Sequence, residues 1–267
     1  MKKTGRLLAA LGITLGLALT LAGCGKSSNK TVKVGVVGDQ DAAIWKAVGK
    51  ETEKKDHITL KIVNFTDYTQ PNAALSDHSV DINAFQSLNF QDAWNKAHHT
   101  NIVAIGNTYF QPLALYSNKL KKLSEIKRGA QIAIPNDAAN ETRALVLLKR
   151  AGFIKLNKAS LPTTKDVTEN RLGLKFTTVD AAQTARSLSS ADAAVVNGNY
   201  ASAAKLSLKD ALYAEHLKTG GQYINVVSTL KKDKNNATYK KIVKAYQTEA
   251  TKQNLKKYYK GNTLPAW

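Results

Sequence analysis

The residues that could do chemistry in this chain are amides, aromatics and one arginine, gathered in five short segments: Phe65–Tyr68, Asn83–Gln86, Asn107–Phe110, Pro135–Arg143 and Asn197–Tyr200. Each follows a stretch that reads as a β-strand. Amide and guanidinium groups hydrogen-bond without reacting, and aromatic faces wall off an apolar slot. Together they favour binding over catalysis. Any one segment also reads as a helix cap or turn. Five at corresponding strand ends point to a pocket, because ligands of open α/β sheets sit beyond the carboxyl ends of the strands.

Catalytic alternatives find little support. There is no G-x-S-x-G elbow and no H-E-x-x-H pair. His98 and His99 are adjacent and would point apart on a helix, while His57, His78 and His216 are isolated surface candidates. The carboxylates are scattered. No metal site or cofactor motif emerges; Gly25-Lys26-Ser27 has Thr20 where a phosphate loop needs its first glycine.

The single cysteine, Cys24, closes a leader: Lys2, Lys3 and Arg6, an uncharged run from Leu7 to Ala22, then Leu21-Ala22-Gly23-Cys24. A basic start, a short apolar run and small residues before a break make a secretory signal. The run falls short of the roughly 18 residues of a spanning helix. Leu-Ala-Gly-Cys resembles a bacterial lipobox, in which the thiol takes a diacylglycerol and becomes the new N-terminus. Residues 1–23 then form the signal peptide and 24–30 a small polar tether. The rest is expected on the extracytoplasmic face of the cell membrane.

The formal charge is +19, of which the leader supplies three. Export and the absence of a basic arm argue against nucleic acid. Dispersed doublets such as Lys54-Lys55 and Lys256-Lys257 suit a solvated coat or one facing anionic polymers. With 43% hydrophobic residues the chain can bury a core without disulfides.

The elements that must position the five segments follow from periodicity. Strands are predicted at 31–37, 58–65, 80–85 and 101–107, with helices at 41–54, 71–76 and 88–98 between them. A second series has strands at 113–116, 131–134, 174–178, 193–196 and 223–229. Its helices are predicted at 123–127, 142–151, 181–188 and 199–205, with one long closing helix over 236–257. The pattern predicts two α/β lobes, each a mainly parallel sheet flanked by helices. Lobe 1 is assigned 31–112 with 226–267, and lobe 2 is assigned 113–225.

Asn64 to Leu75 (NFTDYTQPNAAL) resembles the N-F-x-D-Y-x-x-P-N-x-A-L signature of NlpA-type lipoproteins, the methionine-binding receptors of ABC importers. Asp81 to Gln86 matches that family's I-D-x-N-x-F-Q run in shifted form. Gly106-Asn107-Thr108, Ile134 to Asp137, Asn197 with Tyr200-Ala201, and Tyr223-Ile224-Asn225 keep the family's order.

The resemblance implies a periplasmic-binding-protein-like clamshell that closes on an amino acid, L-methionine or a close relative, and delivers it to an ABC permease. It implies that Arg143 grips the ligand carboxylate, with Asn140, Asn197 and Asn225 on the backbone groups. It implies that Tyr68, Phe85 and Tyr109 surround the side chain. The family's F-Q-H is Phe85-Gln86-Ser87 here, so Ser87 replaces an imidazole at the side-chain pocket. The resemblance implies no catalysis, no cofactor, no metal and a monomer held to the membrane by lipid. A dipeptide or another amino acid is the alternative ligand, and a basic surface adhesin the alternative class.

Overall fold

The computed structural model describes residues 30–216 and 221–267. Cys24 and the leader lie outside them. The first strand, β1 (Lys30–Val37), is valine-rich and buried at its carboxyl end. Gly38, at φ 93°, turns the chain into α1 (Asp39–Asp56). There follow β2 (Ile58–Phe65), α2 (Gln70–Ser76), β3 (Ile82–Asn83), α3 (Leu88–His98) and β4 (Ile102–Phe110). The second half continues with β5 (Ala114–Tyr116), β6 (Gln131–Pro135), α4 (Ala138–Arg150), β7 (Ile154–Leu156), β8 (Val167–Asn170), β9 (Lys175–Val179), β10 (Ala193–Val196), α5 (Gly198–Ala203) and β11 (Tyr213–Ala214). The chain closes with β12 (Ile224–Leu230), α6 (Ala237–Tyr246), α7 (Glu249–Tyr259) and β13 (Leu264–Pro265).

Two large sheets result, one per lobe, beside a two-stranded antiparallel pair of β7 and β8. The first runs β13-β4-β12-β3-β1-β2, and the second β11-β5-β10-β6-β9. The chain therefore passes between sheets after β4 and returns after β11. The core of the first lobe packs α1, α6 and α7 against its sheet, with Trp45 stacked on Tyr246 at 4.8 Å. In the second lobe the apolar face of α4 (Ala144, Leu145, Leu147, Leu148) packs on Ile132, Ile134 and Val195.

The clamshell matches the sequence reading, but the sheets are mixed rather than mainly parallel. β1 is parallel to β2 and β3, whereas β12 runs antiparallel to β3 and β4, and β13 to β4. In the second sheet β6 is parallel to β9 and β10, and β5 antiparallel to β10 and β11. The crossings explain this: a strand that enters from the other lobe need not follow a right-handed β-α-β path. The 181–188 helix is instead two 3-10 turns, Ala181–Gln183 and Arg186–Ser189. The closing helix breaks at Gln247-Thr248, where the Thr248 side chain accepts from Thr251 N and starts α7 afresh. The break lets both Tyr246 and Tyr259 be buried. The strand expected at 80–85 pairs only at Ile82–Asn83, leaving Ala84 to Ser87 free to enter the cleft.

Gly106 of β4 is required by packing: a Cβ there would stand 2.4 Å from Val243 Cγ1 of α6. Gly106→Ala should cost about 1–3 kcal/mol by overpacking. Val243→Ala in the same chain should recover part of that loss in urea unfolding; a fully additive pair would mean that the two positions do not meet.

Candidate ligand-binding site

A cavity of about 480 Å³, including its opening to solvent, lies between the lobes. It sits beyond the carboxyl ends of β1, β2, β3, β6 and β10, where an open α/β sheet places ligands. Tyr68, Phe85, Ser87 and Tyr109 line it from the first lobe, Asn140, Arg143 and Asn197 from the second, and Asn225 from the start of β12.

The first-lobe wall is held by a buried cluster of amides. Asn72 Nδ2 donates to Gln86 Oε1 at 2.7 Å, and Gln86 Nε2 donates to Asn72 Oδ1 at 2.9 Å. Asn83 Nδ2 donates to Asn72 Oδ1 at 2.8 Å. The Pro-Asn and Asn-Ala-Phe-Gln motifs thus hold each other and present Phe85 and Ser87 to the cavity. Ser87 caps α3 by accepting from Phe90 N at 3.3 Å, and its backbone bridges Asn225. Phe85 packs against Tyr68 (5.9 Å) and edge-on to Phe90 (5.6 Å), giving an aromatic slot.

On the second lobe Asp137 caps α4 and binds the Asn140 side chain, with Asn140 Nδ2 at 3.0 Å from its Oδ2. Asn197 Nδ2 then donates to Asn140 Oδ1 at 2.9 Å. This relay fixes the Asn197 amide. Its nitrogen is engaged, and its Oδ1 is buried without a protein partner in the cavity wall. Asn140, read from sequence as a ligand contact, has its own amide occupied within the relay.

Arg143 is 6% exposed. Its Nε donates to Glu215 Oε1 at 2.9 Å and its Nη2 to Glu215 Oε2 at 2.5 Å. Nη2 also donates to the Gln111 carbonyl at 2.9 Å. The guanidinium lies over the Tyr223 ring, 4.5 Å from its centroid. Glu215 in turn accepts from Leu113 N at 2.9 Å. The cation is therefore paired and clamped at the crossing between the lobes. Among the described residues Nη1 donates to no protein atom, and Arg143 lines the cavity. Beside it the Gln111 Nε2 amide is buried without a protein partner. Gly198 makes room for this side chain; a Cβ there would stand 2.2 Å from Gln111 Cγ.

Sequence reasoning missed Glu215, Gln111, Phe90 and Asp41. Asp41, in the first turn of α1, is 2% exposed. Its Oδ2 accepts from the Tyr109 hydroxyl at 2.8 Å, and its Oδ1 has no protein partner. Burial pushes this carboxyl up to about 7, against the opposing hydrogen bonds from Tyr109 and Tyr259. Its place straight after the Gly38 turn was the available signal.

The lobes touch across the mouth. Tyr68 OH lies 2.5 Å from Asn199 Oδ1, Tyr200 OH donates to Thr66 O at 3.2 Å, and the Tyr68 and Tyr200 rings are 5.0 Å apart. The clamshell is closed. A closed two-lobed α/β protein with a lined cavity between its lobes has the architecture of the periplasmic-binding-protein-like receptors.

The chain belongs to the NlpA lipoprotein family, whose sequence pattern matches residues 32–267. It is 36% identical to the D-methionine-binding lipoprotein MetQ of Escherichia coli over 97% of both chains. It is also similar to a nutrient-binding protein from Burkholderia cenocepacia bound to methionine, at 41% identity and a TM-score of 0.85. That match covers 88% of this chain and all of that one. The substrate-binding protein of a methionine transporter from Streptococcus pneumoniae matches at 41% identity and a TM-score of 0.83, over 89% of this chain and 96% of that one.

The Asp41 environment predicts a pH signature of stability. A carboxyl raised from 3.8 to about 7 keeps its proton in the folded state where the unfolded chain has lost it. Its contribution therefore weakens stability as pH rises between those values. The stability of Asp41→Asn relative to wild type should rise over that interval in thermal unfolding. A difference that stays flat with pH would show that Asp41 titrates normally.

Proposed function

We infer that this protein is a lipid-anchored, extracytoplasmic substrate-binding protein of an ABC importer that captures L-methionine or a close relative as a zwitterion. It releases the ligand unchanged to the permease. The observation that carries the reading is the pairing of unpartnered polar atoms in one cavity. Arg143 Nη1 and Gln111 Nε2 offer donors to a carboxylate, and Asn197 Oδ1 offers an acceptor to an ammonium. Tyr68, Phe85, Phe90 and Tyr109 wall the side chain. A thioether suits such walls, since sulfur–aromatic contacts add about 0.3–1.5 kcal/mol. The methionine-bound relative and the methionine-binding lipoproteins support the same ligand class.

Charge balance supports a zwitterion. The buried Arg143–Glu215 pair is neutral, and an amino acid of no net charge leaves it so. The Gln111–Leu115 and Tyr223–Val227 stretches act as hinges between lobes 31–112 with 226–267 and 113–225. Cys24 carries the lipid, and two or three acyl chains hold the protein where one binds only marginally.

Mass spectrometry of the small molecule released on denaturing fresh protein identifies the ligand; methionine or a near analogue is expected, and a peptide or sugar would contradict the reading. Arg143→Ala should lose roughly 30-fold or more in affinity. It should also lose about 3–5 kcal/mol of stability, because Glu215 is left buried and unpaired. Arg143→Ala with Glu215→Gln should regain stability without regaining affinity. Affinity recovered in the double variant would remove Arg143 from the ligand.

A further inference from the structure

Asp41 is a buried carboxyl that nothing above requires. It stands in the cavity wall with one oxygen engaged and the other not. We propose that Asp41, as the neutral acid, donates a hydrogen bond from Oδ1 to an acceptor on the ligand's side chain, and so favours a thioether or sulfoxide over a hydrocarbon chain of equal length. The proposal rests on the amino-acid reading of this site.

Three observations place the proton and the ligand. First, the Tyr109 hydroxyl donates to Oδ2, and the Tyr259 hydroxyl lies 3.4 Å from that of Tyr109. With Oδ2 serving as acceptor, the acid proton falls on Oδ1. Second, the titratable groups that face Asp41 are phenols: Tyr109 from β4, Tyr246 from α6 and Tyr259 from α7. Among the described residues no cation biases it, and burial favours the uncharged form. Third, Asp41 and Tyr109 belong to the first lobe, whereas Arg143 and Asn197, which face the ligand's charged groups, belong to the second. Asp41 stands on α1 and Arg143 on α4, so the two line the cavity from different lobes. A ligand whose carboxylate meets Arg143 brings its side chain to Asp41.

An O–H aimed at a methyl or methylene group would be buried without an acceptor, which is unfavourable. A thioether sulfur is a weak acceptor and a sulfoxide oxygen a strong one. The carboxyl therefore acts as a filter on side-chain chemistry, while Arg143 and Asn197 read the part common to all amino acids.

The test is calorimetry on refolded, ligand-free protein with L-methionine, L-methionine sulfoxide, L-norleucine and L-ornithine, at about pH 6 and about pH 8.5. Wild type should prefer methionine to norleucine by roughly three- to tenfold at the lower pH. That ratio should shrink at the higher pH as Asp41 ionises, and the sulfoxide-to-norleucine ratio should shrink with it. Asp41→Leu should show no such preference at either pH. Asp41→Asn, whose amide can still donate, should keep it without pH dependence. A wild-type ratio in Asp41→Leu would overturn the proposal. So would an ornithine affinity that exceeds that of methionine and rises with pH, since Asp41 would then be an acceptor. The pH comparison on wild type stands even if Asp41→Leu fails to fold. No binding of any of the four by wild type would instead bring down the amino-acid reading, and the proposal with it.

Discussion

The Arg143–Glu215 ion pair is the constraint around which the site is built. Both side chains are almost wholly buried, at 7% and 6% exposure. A lone arginine at that depth would be strongly unfavourable, and a lone glutamate equally so. Pairing them makes a permanent cation tolerable in the cavity wall without ligand. It also fixes the guanidinium plane, because Nε and Nη2 are both taken. What remains toward the cavity is one edge of the fork, held at the crossing by Gln111 and Leu113.

That arrangement links recognition to the relative placement of the lobes. Glu215 precedes the return crossing, Gln111 and Leu113 form the outward one, and Arg143 stands on the helix α4 of the second lobe. Any rotation between the lobes must carry these groups together or break charge-assisted bonds in a buried site. The mouth is different. Tyr68 with Asn199, and Tyr200 with Thr66, meet through half-exposed contacts that can open with little penalty. On the proposed reading, buried charge-assisted bonds hold the crossing where the ligand's head group would sit, and the mouth opens at less cost where the ligand would enter.

Much of this was legible in the sequence, for local reasons. Strand-end segments can be found because valine-rich runs and their punctuating asparagines are contiguous. The arginine was found because it stands at a fixed distance after Pro135-Asn136-Asp137. Other features depend on contacts far apart in the chain. Glu215 is 72 residues from Arg143, and nothing local distinguishes it from a surface glutamate. Asp41 reads locally as an acid in a helix's first turn, favourable to the dipole, and only burial beneath Tyr109 and Tyr259 changes its character. The antiparallel half of each sheet escaped notice because pairing direction is set by where the chain crosses between lobes. The break at Gln247-Thr248 escaped because the apolar spacing runs through it, while capping by Thr248 decides the outcome.

The cavity is proposed to read both charges of a zwitterion, the carboxylate at Arg143 and Gln111 and the ammonium at Asn197. The most direct measurement is calorimetric titration of ligand-free protein with L-methionine, L-methionine amide and N-acetyl-L-methionine, which share one side chain and differ in one charge each. Loss of either charge should cost roughly 30-fold or more in affinity. Binding of the amide or the N-acetyl compound as tightly as methionine would contradict the account.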